Sequence, residues 1–385
     1  MKEKRLESLD ALRGFDMLMI MGLGNLVIAL CSWLGWGTDC ALARQFEHVE
    51  WNGLRFEDTI FPLFLFLAGV SWPFSYARQL ERGKSNGQIL RKGFRRMLLL
   101  VLFGLMYGGL LSGQLRMGSV LGRIGVAWFV SAAFYLCCSR KLLVLLAFAF
   151  PIGYWLLLYF VPAPDVATLA VPEKLSFVWQ YGTGPFSIVG NLSGWLDRTI
   201  MPGVLIPYTG IADNQSVLGV VPAIGTALLG VLSGEFLRVG GKGWTENRKV
   251  VAMLALAVGL VALGLVIAFG FGEMSMPINK KLWSASFTFV VGGYSVAMLA
   301  VFHWLVDLKG FRRWTFFFKV IGMNSITIYL WQKFVPMESV TKEFFGGVAS
   351  LVSPTAGEMV LAVGYIALCW LFLYFLYRKH IFLKV

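Results

Sequence analysis

The run HVEWNGLRFED carries one of only three histidines in the chain, His48, a short way ahead of Asp58. A histidine near its ordinary pKa accepts a proton at neutral pH. A carboxylate beside it fixes the ring's tautomer and stabilises the cation that forms. The WNG between them is a compact turn that can fold His48 back toward Asp58. The same residues also suit a plainer arrangement, with an interfacial histidine, Trp51 in a membrane's aromatic belt and Asp58 as a helix N-cap. Spacing alone leaves both open.

Other polar side chains sit inside apolar runs: Asp16, Asn25, Arg123, His303 and the pair Asn324–Ser325. In lipid such groups are costly and face a bundle interior or a water-filled cavity. Asp10 and Arg13, one helical turn apart, can pair on one face. Packing hydrogen bonds account for part of this set, and His303 reads as structural. There is no P-loop, dinucleotide glycine fingerprint or HExxH. The cysteines, at 31, 40, 137, 138 and 369, lack metal spacing, so no metal is expected; Cys31 and Cys40, both toward the outer face, can pair or stand as two free thiols, the reading we prefer.

The elements that must position these residues follow from composition. A chain 57% hydrophobic and only 14% charged is not a soluble globule, and its apolar runs recur at the length of a bilayer-spanning helix. Lipid offers backbone groups no partners, so spans are helices or a closed barrel. These runs are too long and too little alternating for barrel strands. The expected fold is an all-α polytopic membrane protein forming one domain, 1–385, of about ten transmembrane helices. They cover residues 11–36, 57–77, 97–113, 119–137, 142–160, 215–237, 250–271, 283–306, 316–335 and 357–377.

Most Lys and Arg gather on one side, in the basic start (Lys2, Lys4, Arg5), in 78–96, at Arg140–Lys141, in 238–249 and 309–313, and at Arg378–Lys379. That side is cytoplasmic by the positive-inside rule, and an even number of spans puts both termini there, with His380 in the tail. The net charge of +13 is this topology signal, so nucleic acid is not an expected partner. The first span follows a basic start, yet its apolar stretch is too long for a signal peptide and no small-residue cleavage site follows. On the outer side lie 37–56, 161–214, 272–282 and 336–356. The loop 161–214 is long and rich in aromatics, so we expect it to be structured, as a lid or wall.

Six segments, in order, resemble one family: RLESLDALRGFDM, HVEWNGLRFEDTIFPLFLFLAGVS, LGRIGVAWF, NLSGWLDRTIMPG, MPINKKLWSASF and GMNSITIYL. The chain is similar, from about residue 5 to 335, to the transmembrane N-acetyltransferases of the heparan-alpha-glucosaminide acetyltransferase family, especially their shorter bacterial relatives. The resemblance implies an acetyl group passing from cytoplasmic acetyl-CoA to the amine of a glucosamine unit across the membrane. The family's catalytic histidine falls on His48 and its partner acid on Asp58. Its first-span asparagine has Asn25 as nearest counterpart, displaced by one residue relative to the Leu-Arg-Gly motif. Two departures stand out. The outer loop before His48 is longer than in lysosomal members, and ADNQSVLG replaces a common Asp-Pro-Glu-Gly, keeping Asp213 but putting Gln215 in place of the glutamate.

On that reading Asn25, Asn324 and Ser325 are candidate donors to the acetyl oxyanion. Arg13, Asp10 and Arg123 are candidates beside coenzyme A. Acceptor contacts fall on Trp51, Asn52, Asp197, Asp213, Asn279 and Lys280. The expected partners are acetyl-CoA as donor substrate, an amino sugar or glucosamine-containing glycan, and the bilayer of a bacterial inner membrane, with a homodimer left open. Two alternatives stand: an O-acyltransferase acting on a glycan or lipid hydroxyl, and a proton-coupled secondary transporter using Asp16 or Asp58, although no internal repeat is evident.

Overall fold

A computed structural model describes residues 6–240 and 243–383. Of the basic residues used for topology, Lys2, Lys4, Arg5 and Lys242 lie outside the described residues. The protein is an all-helical integral membrane protein. Its helices are α1 (Glu7–Leu18), α2 (Gly24–Trp33), α3 (Ile60–Glu81), α4 (Asn86–Tyr107), α5 (Val120–Cys137), α6 (Arg140–Phe160), α7 (Leu192–Ile200), α8 (Val220–Val239), α9 (Glu246–Phe269), α10 (Ala285–Phe302), α11 (Thr315–Met323), α12 (Ser325–Phe334), α13 (Met337–Ser350) and α14 (Pro354–Arg378). Polar caps open several of them: Ser85, Ser119, Ser139, Asn191, Thr245 and Ser353 each accept a backbone N–H from the first turn.

Eight helical stretches among the described residues are long and apolar enough to cross a membrane, against an expected ten. The two differences have local causes. The expected third span lies in α4, whose first half carries Arg91, Lys92, Arg95 and Arg96. The expected ninth is broken at Asn324 into α11 and α12. The segment 161–214 is ordered, containing a 3-10 stretch Glu173–Tyr181, helix α7 and a hairpin of β1 (Pro207–Tyr208) with β2 (Ala212–Asp213).

The chain clusters into two compact units. Among the described residues, unit 1 comprises 6–49, 55–60 and 298–383, and unit 2 comprises 50–54, 61–240 and 243–297. In unit 1, α1 packs on α11 and α14 on both α13 and α2. A methyl on Gly14 would fall 1.8 Å from the Phe318 carbonyl oxygen, and one on Gly322 2.3 Å from that of Asp10. The α1 and α11 backbones therefore touch, a closeness only small residues permit. Unit 2 repeats the device between α3 and α8. Methyls on Gly69, Gly230 and Gly234 would meet the carbonyl oxygens of Ala227, Phe66 and Val70 at 2.3, 2.1 and 2.2 Å.

Candidate active site

His48 follows a 3-10 turn, Ala43–Phe46, and Asp58 sits in a second one, Phe56–Thr59, that leads into α3. All of these residues belong to unit 1. The two turns bring His48 Nδ1 to 3.0 Å from Asp58 Oδ1. Asp58 is buried, at 2% side-chain exposure, while His48 is 58% exposed. Asp58 Oδ2 accepts the backbone N–H groups of Arg55 at 3.2 Å and Val49 at 3.5 Å. It thus caps the turn and holds the imidazole at once, so the two roles that spacing left open coexist. Arg55, the cap residue, also reaches Glu47 at 3.1 Å, and Phe56 N–H donates to Gln45 Oε1 at 3.2 Å. These contacts cross-brace the two turns that carry the pair.

Trp51 is not a belt residue. It is 3% exposed, and its Nε1 donates to the Phe186 carbonyl at 2.9 Å within unit 2. There the two most specific sequence segments meet, since Asn279 Nδ2 donates to Asn52 Oδ1 at 3.1 Å and Gly53 N–H to the Ile278 carbonyl at 2.8 Å. Gly53 has φ of 126°, which glycine adopts without strain. Asn279 is fully buried, and its Oδ1 accepts Leu282 N–H at 2.8 Å, so it builds the turn. Lys280 is part-exposed beside it. Its neighbour Lys281 hydrogen-bonds the Glu50 carbonyl and the Tyr208 hydroxyl, and Tyr208 OH itself donates to Glu50 O at 2.7 Å. Burial pushes the Tyr208 hydroxyl's pKa up, so it remains a donor. Sequence reasoning missed Lys281 and Tyr208, because neither of two adjacent lysines in a motif announces which one turns inward.

Asp197 and Asp213 hold the segment 161–214 together. Arg116 forks onto Asp213 at 2.7 and 2.9 Å, and Asp213 Oδ2 also accepts Ile206 N–H at 2.9 Å. Asp197, buried in α7, accepts Val217 N–H at 3.0 Å and Asp213 N–H at 3.3 Å. Burial raises the Asp197 carboxyl to about 7, although these two N–H groups pull against it. Arg198 pairs with Asp165, whose pKa it lowers. Arg123 is 3% exposed and donates to the Ser216 carbonyl at 3.1 Å, while its Nε and Nη1 find no hydrogen-bond acceptor. Its guanidinium lies 5.1 Å from the centre of the Trp283 ring. Gln215 Oε1, at the position that departs from the family pattern, is buried without a donor.

The remaining candidates scatter through unit 1. Asn25 is exposed, just after a π-helical break in the first span, Met19–Leu23. Asn324 is buried, its Nδ2 donating to the Ile381 carbonyl at 3.1 Å and its Oδ1 accepting Leu383 N–H at 3.4 Å, so its carboxamide anchors the tail. Ser325 is buried and opens α12. Arg13 and Asp10 pair at 3.8 Å. Asp10 and His380 both line a cavity of about 410 Å³ with Lys319 and Tyr377. His303 Nδ1 meets Asp307 Oδ2 at 3.0 Å, and Ser8 Oγ donates to the same carboxylate at 2.5 Å, a buried brace between α1 and a π-helical turn, His303–Leu308. Asp16 is buried with no donor to its Oδ2, and Glu57 is a charged neighbour. Cys31 and Cys40 are free thiols, and no group of metal-ligating side chains occurs among the described residues.

Residues 5–113 match a family model described as "Domain of unknown function (DUF5009)". Heparan-alpha-glucosaminide N-acetyltransferase of Homo sapiens is 27% identical over 99% of this chain and 60% of its own length. The enzyme of the same name from Mus musculus is 27% identical over 88% of this chain and 56% of its own. The chain thus spans about 60% of the length of these curated relatives. Along nearly all of its own length, the chain is similar to the heparan-alpha-glucosaminide N-acetyltransferases.

Proposed function

We propose that the 385 residues act as one transmembrane acyltransferase domain of about ten spans in a bacterial inner membrane, with both termini cytoplasmic. It moves an acetyl group from cytoplasmic acetyl-CoA to the amine of a glucosamine-type sugar on the outer face. The observation that carries the reading is the buried Asp58 carboxylate on Nδ1 of an exposed His48. An acetyl thioester is already activated, so the enzyme's work is positioning and the handling of one proton. With Nδ1 turned to Asp58, proton acceptance falls to Nε2. The amine nitrogen attacks the thioester carbonyl carbon, its proton goes to His48, the C–S bond breaks, and coenzyme A leaves as a thiolate that takes up a proton. The cation formed on His48 is stabilised by Asp58.

The developing oxyanion requires donors. Asn25 fits this need better than Asn324, whose carboxamide is committed to the tail. Coenzyme A's phosphates suit the basic cytoplasmic flanks, Arg13 among them. The residues Trp51, Asn52, Asn279, Lys280, Asp197 and Asp213 shape the acceptor side, chiefly by building its turns. Purified protein mixed with labelled acetyl-CoA and glucosamine tests the reading. N-acetylglucosamine is the expected product; an O-acetyl product, or none from folded protein, overturns it.

A further inference from the structure

The first span is broken inside its apolar run. Met19–Leu23 is π-helical, and Gly22 within it has φ of 115°, a value open to glycine without a side-chain clash. Such breaks frequently mark functional sites. At membrane depth irregular backbone persists only where protein buries it or a water-filled cavity adjoins it. A cavity of about 370 Å³ does adjoin it, lined by residues of the first span and of α12, α13 and α14, all in unit 1. Its size lies within the range of small-molecule sites, about 300–1,000 Å³. Gln332 bridges the break to the wall, donating to the Ile20 carbonyl at 3.4 Å and to the Tyr365 hydroxyl at 2.9 Å. One wall is apolar (Leu361 and Ala362), while Asn25, Gln332, Glu338 and Glu358 give polar groups. Glu338 and Glu358 against Lys342 leave the lining formally negative. Gly24, next to the cavity's Asn25, packs on both turns that carry the pair described above. A methyl there would meet Phe46 Cβ at 3.4 Å and Glu57 Oε2 at 3.8 Å.

We propose that this cavity is the capture subsite for the acceptor, binding an amino sugar in its ammonium form. The proposal rests on the acetyltransferase reading and names where that reaction's acceptor is held. Carboxylates attract the ammonium, the Gln332 carboxamide oxygen matches a ring hydroxyl, and the Leu361–Ala362 wall suits a sugar's apolar face. The negative lining disfavours the phosphates of coenzyme A, and an acyl chain would set hydrocarbon against Asn25 and both carboxylates. The charge also gives a direction to turnover. The bound ammonium first gives one proton to water, the free amine then attacks the thioester and gives its second proton to His48, and the neutral amide that results loses the attraction that drew the substrate in.

The test reads binding apart from chemistry. In an Ala362→Cys protein, maleimide labelling at position 362 is followed by peptide mass spectrometry with glucosamine, glucose or N-acetylglucosamine present. Glucosamine should protect roughly tenfold better than the two neutral sugars, the preference one charge-assisted contact supports. Adding Glu338→Gln and Glu358→Gln should abolish that preference. In the transfer assay the same pair of changes, without the cysteine, should raise KM for glucosamine about tenfold and leave KM for acetyl-CoA unchanged. Equal protection by glucose, or a preference that survives both glutamine changes, overturns the inference. The two readings fail separately. An active wild-type protein without ammonium preference sinks the cavity alone. A protein that makes no N-acetylglucosamine yet shows charge-dependent protection sinks the acetyl transfer and leaves an amine site.

Discussion

Replacing Asp58 by Asn keeps its size and removes its charge, and the hydrogen bonds around it make the outcome specific. In the wild-type protein Oδ1 faces His48 Nδ1 at 3.0 Å, and two unit charges at that distance attract by about 5 kcal/mol at an effective dielectric of 20. His48 is more than half exposed, so solvent screens the pair, and a share of roughly 1–3 kcal/mol is the realistic figure. That share is about tenfold to a hundredfold in rate. The new carboxamide then faces a second conflict. In the wild type Oδ2 accepts from Arg55 N–H and Val49 N–H, so an NH2 in its place sets donor against donor. Flipping the amide restores the cap but turns its NH2 toward Nδ1. The imidazole must then accept at Nδ1 and carry its proton on Nε2, the tautomer that cannot take a proton from the amine. We expect kcat for acetyl transfer to fall about 10²–10⁴-fold, with KM for acetyl-CoA little changed and the protein still folded in detergent. The assay is kcat against pH with labelled acetyl-CoA and glucosamine. A kcat within about threefold of wild type, at unchanged pH dependence, would refute the reasoning.

Three further outcomes are expected. His48→Ala should insert and fold normally but lose transfer about 10²–10⁴-fold, while His303→Ala should lower thermal stability in detergent through its brace to Asp307 and alter kcat far less. Gly230→Ala places a methyl 2.1 Å from the Phe66 carbonyl oxygen, so α3 and α8 must part at a cost of roughly 1–3 kcal/mol; a melting temperature unchanged from wild type would show that they need not. Asp197 is raised to about 7 by burial, which favours folding most fully below its unfolded value near 3.9, and that contribution is lost as pH rises through about 7. The change from 3.8 to about 7 corresponds to something on the order of 4 kcal/mol across the window, so wild-type stability should fall more steeply from pH 5 to 8 than that of Asp197→Asn, and parallel slopes would show that Asp197 does not titrate there.

Hydropathy disclosed the helical membrane fold because it sums over some twenty residues, and single errors average out. It failed where a local event decides. The charged first half of α4 and the break at Asn324 reduce two expected spans to helices that do not meet the length and composition of a crossing segment. The π-helical break in the first span was invisible as well, since Met19–Leu23 is as apolar as its flanks and only the backbone of Gly22 betrays it. At the site, the residue types of His48 and Asp58 and the turn between them allowed their approach, which spacing alone left open and the 3.0 Å contact shows. The burial of Trp51 was not predictable, because an aromatic belt and a buried anchor ask for the same residue. Nor did the sequence tell that Asp213 is taken up by Arg116, a pairing nearly a hundred residues long in the chain that no local pattern encodes.

Burial alone does not mark a carboxylate as functional in this protein. Asp58, Asp197 and Asp213 are all buried and all accept backbone N–H groups. What separates them is where the other partner lies. Asp213 closes on the guanidinium of Arg116, itself only 20% exposed, and Asp197 closes on backbone; both spend their charge inside the fold. Asp58 instead passes its charge through an imidazole that is 58% exposed, so a carboxylate sealed from water acts on a ring that faces it. The two N–H groups satisfy Oδ2, and the imidazole partners the buried Oδ1 that they leave over. On the proposed function, this arrangement would join a rigid anchor to an accessible base, the two things that proton acceptance by His48 requires.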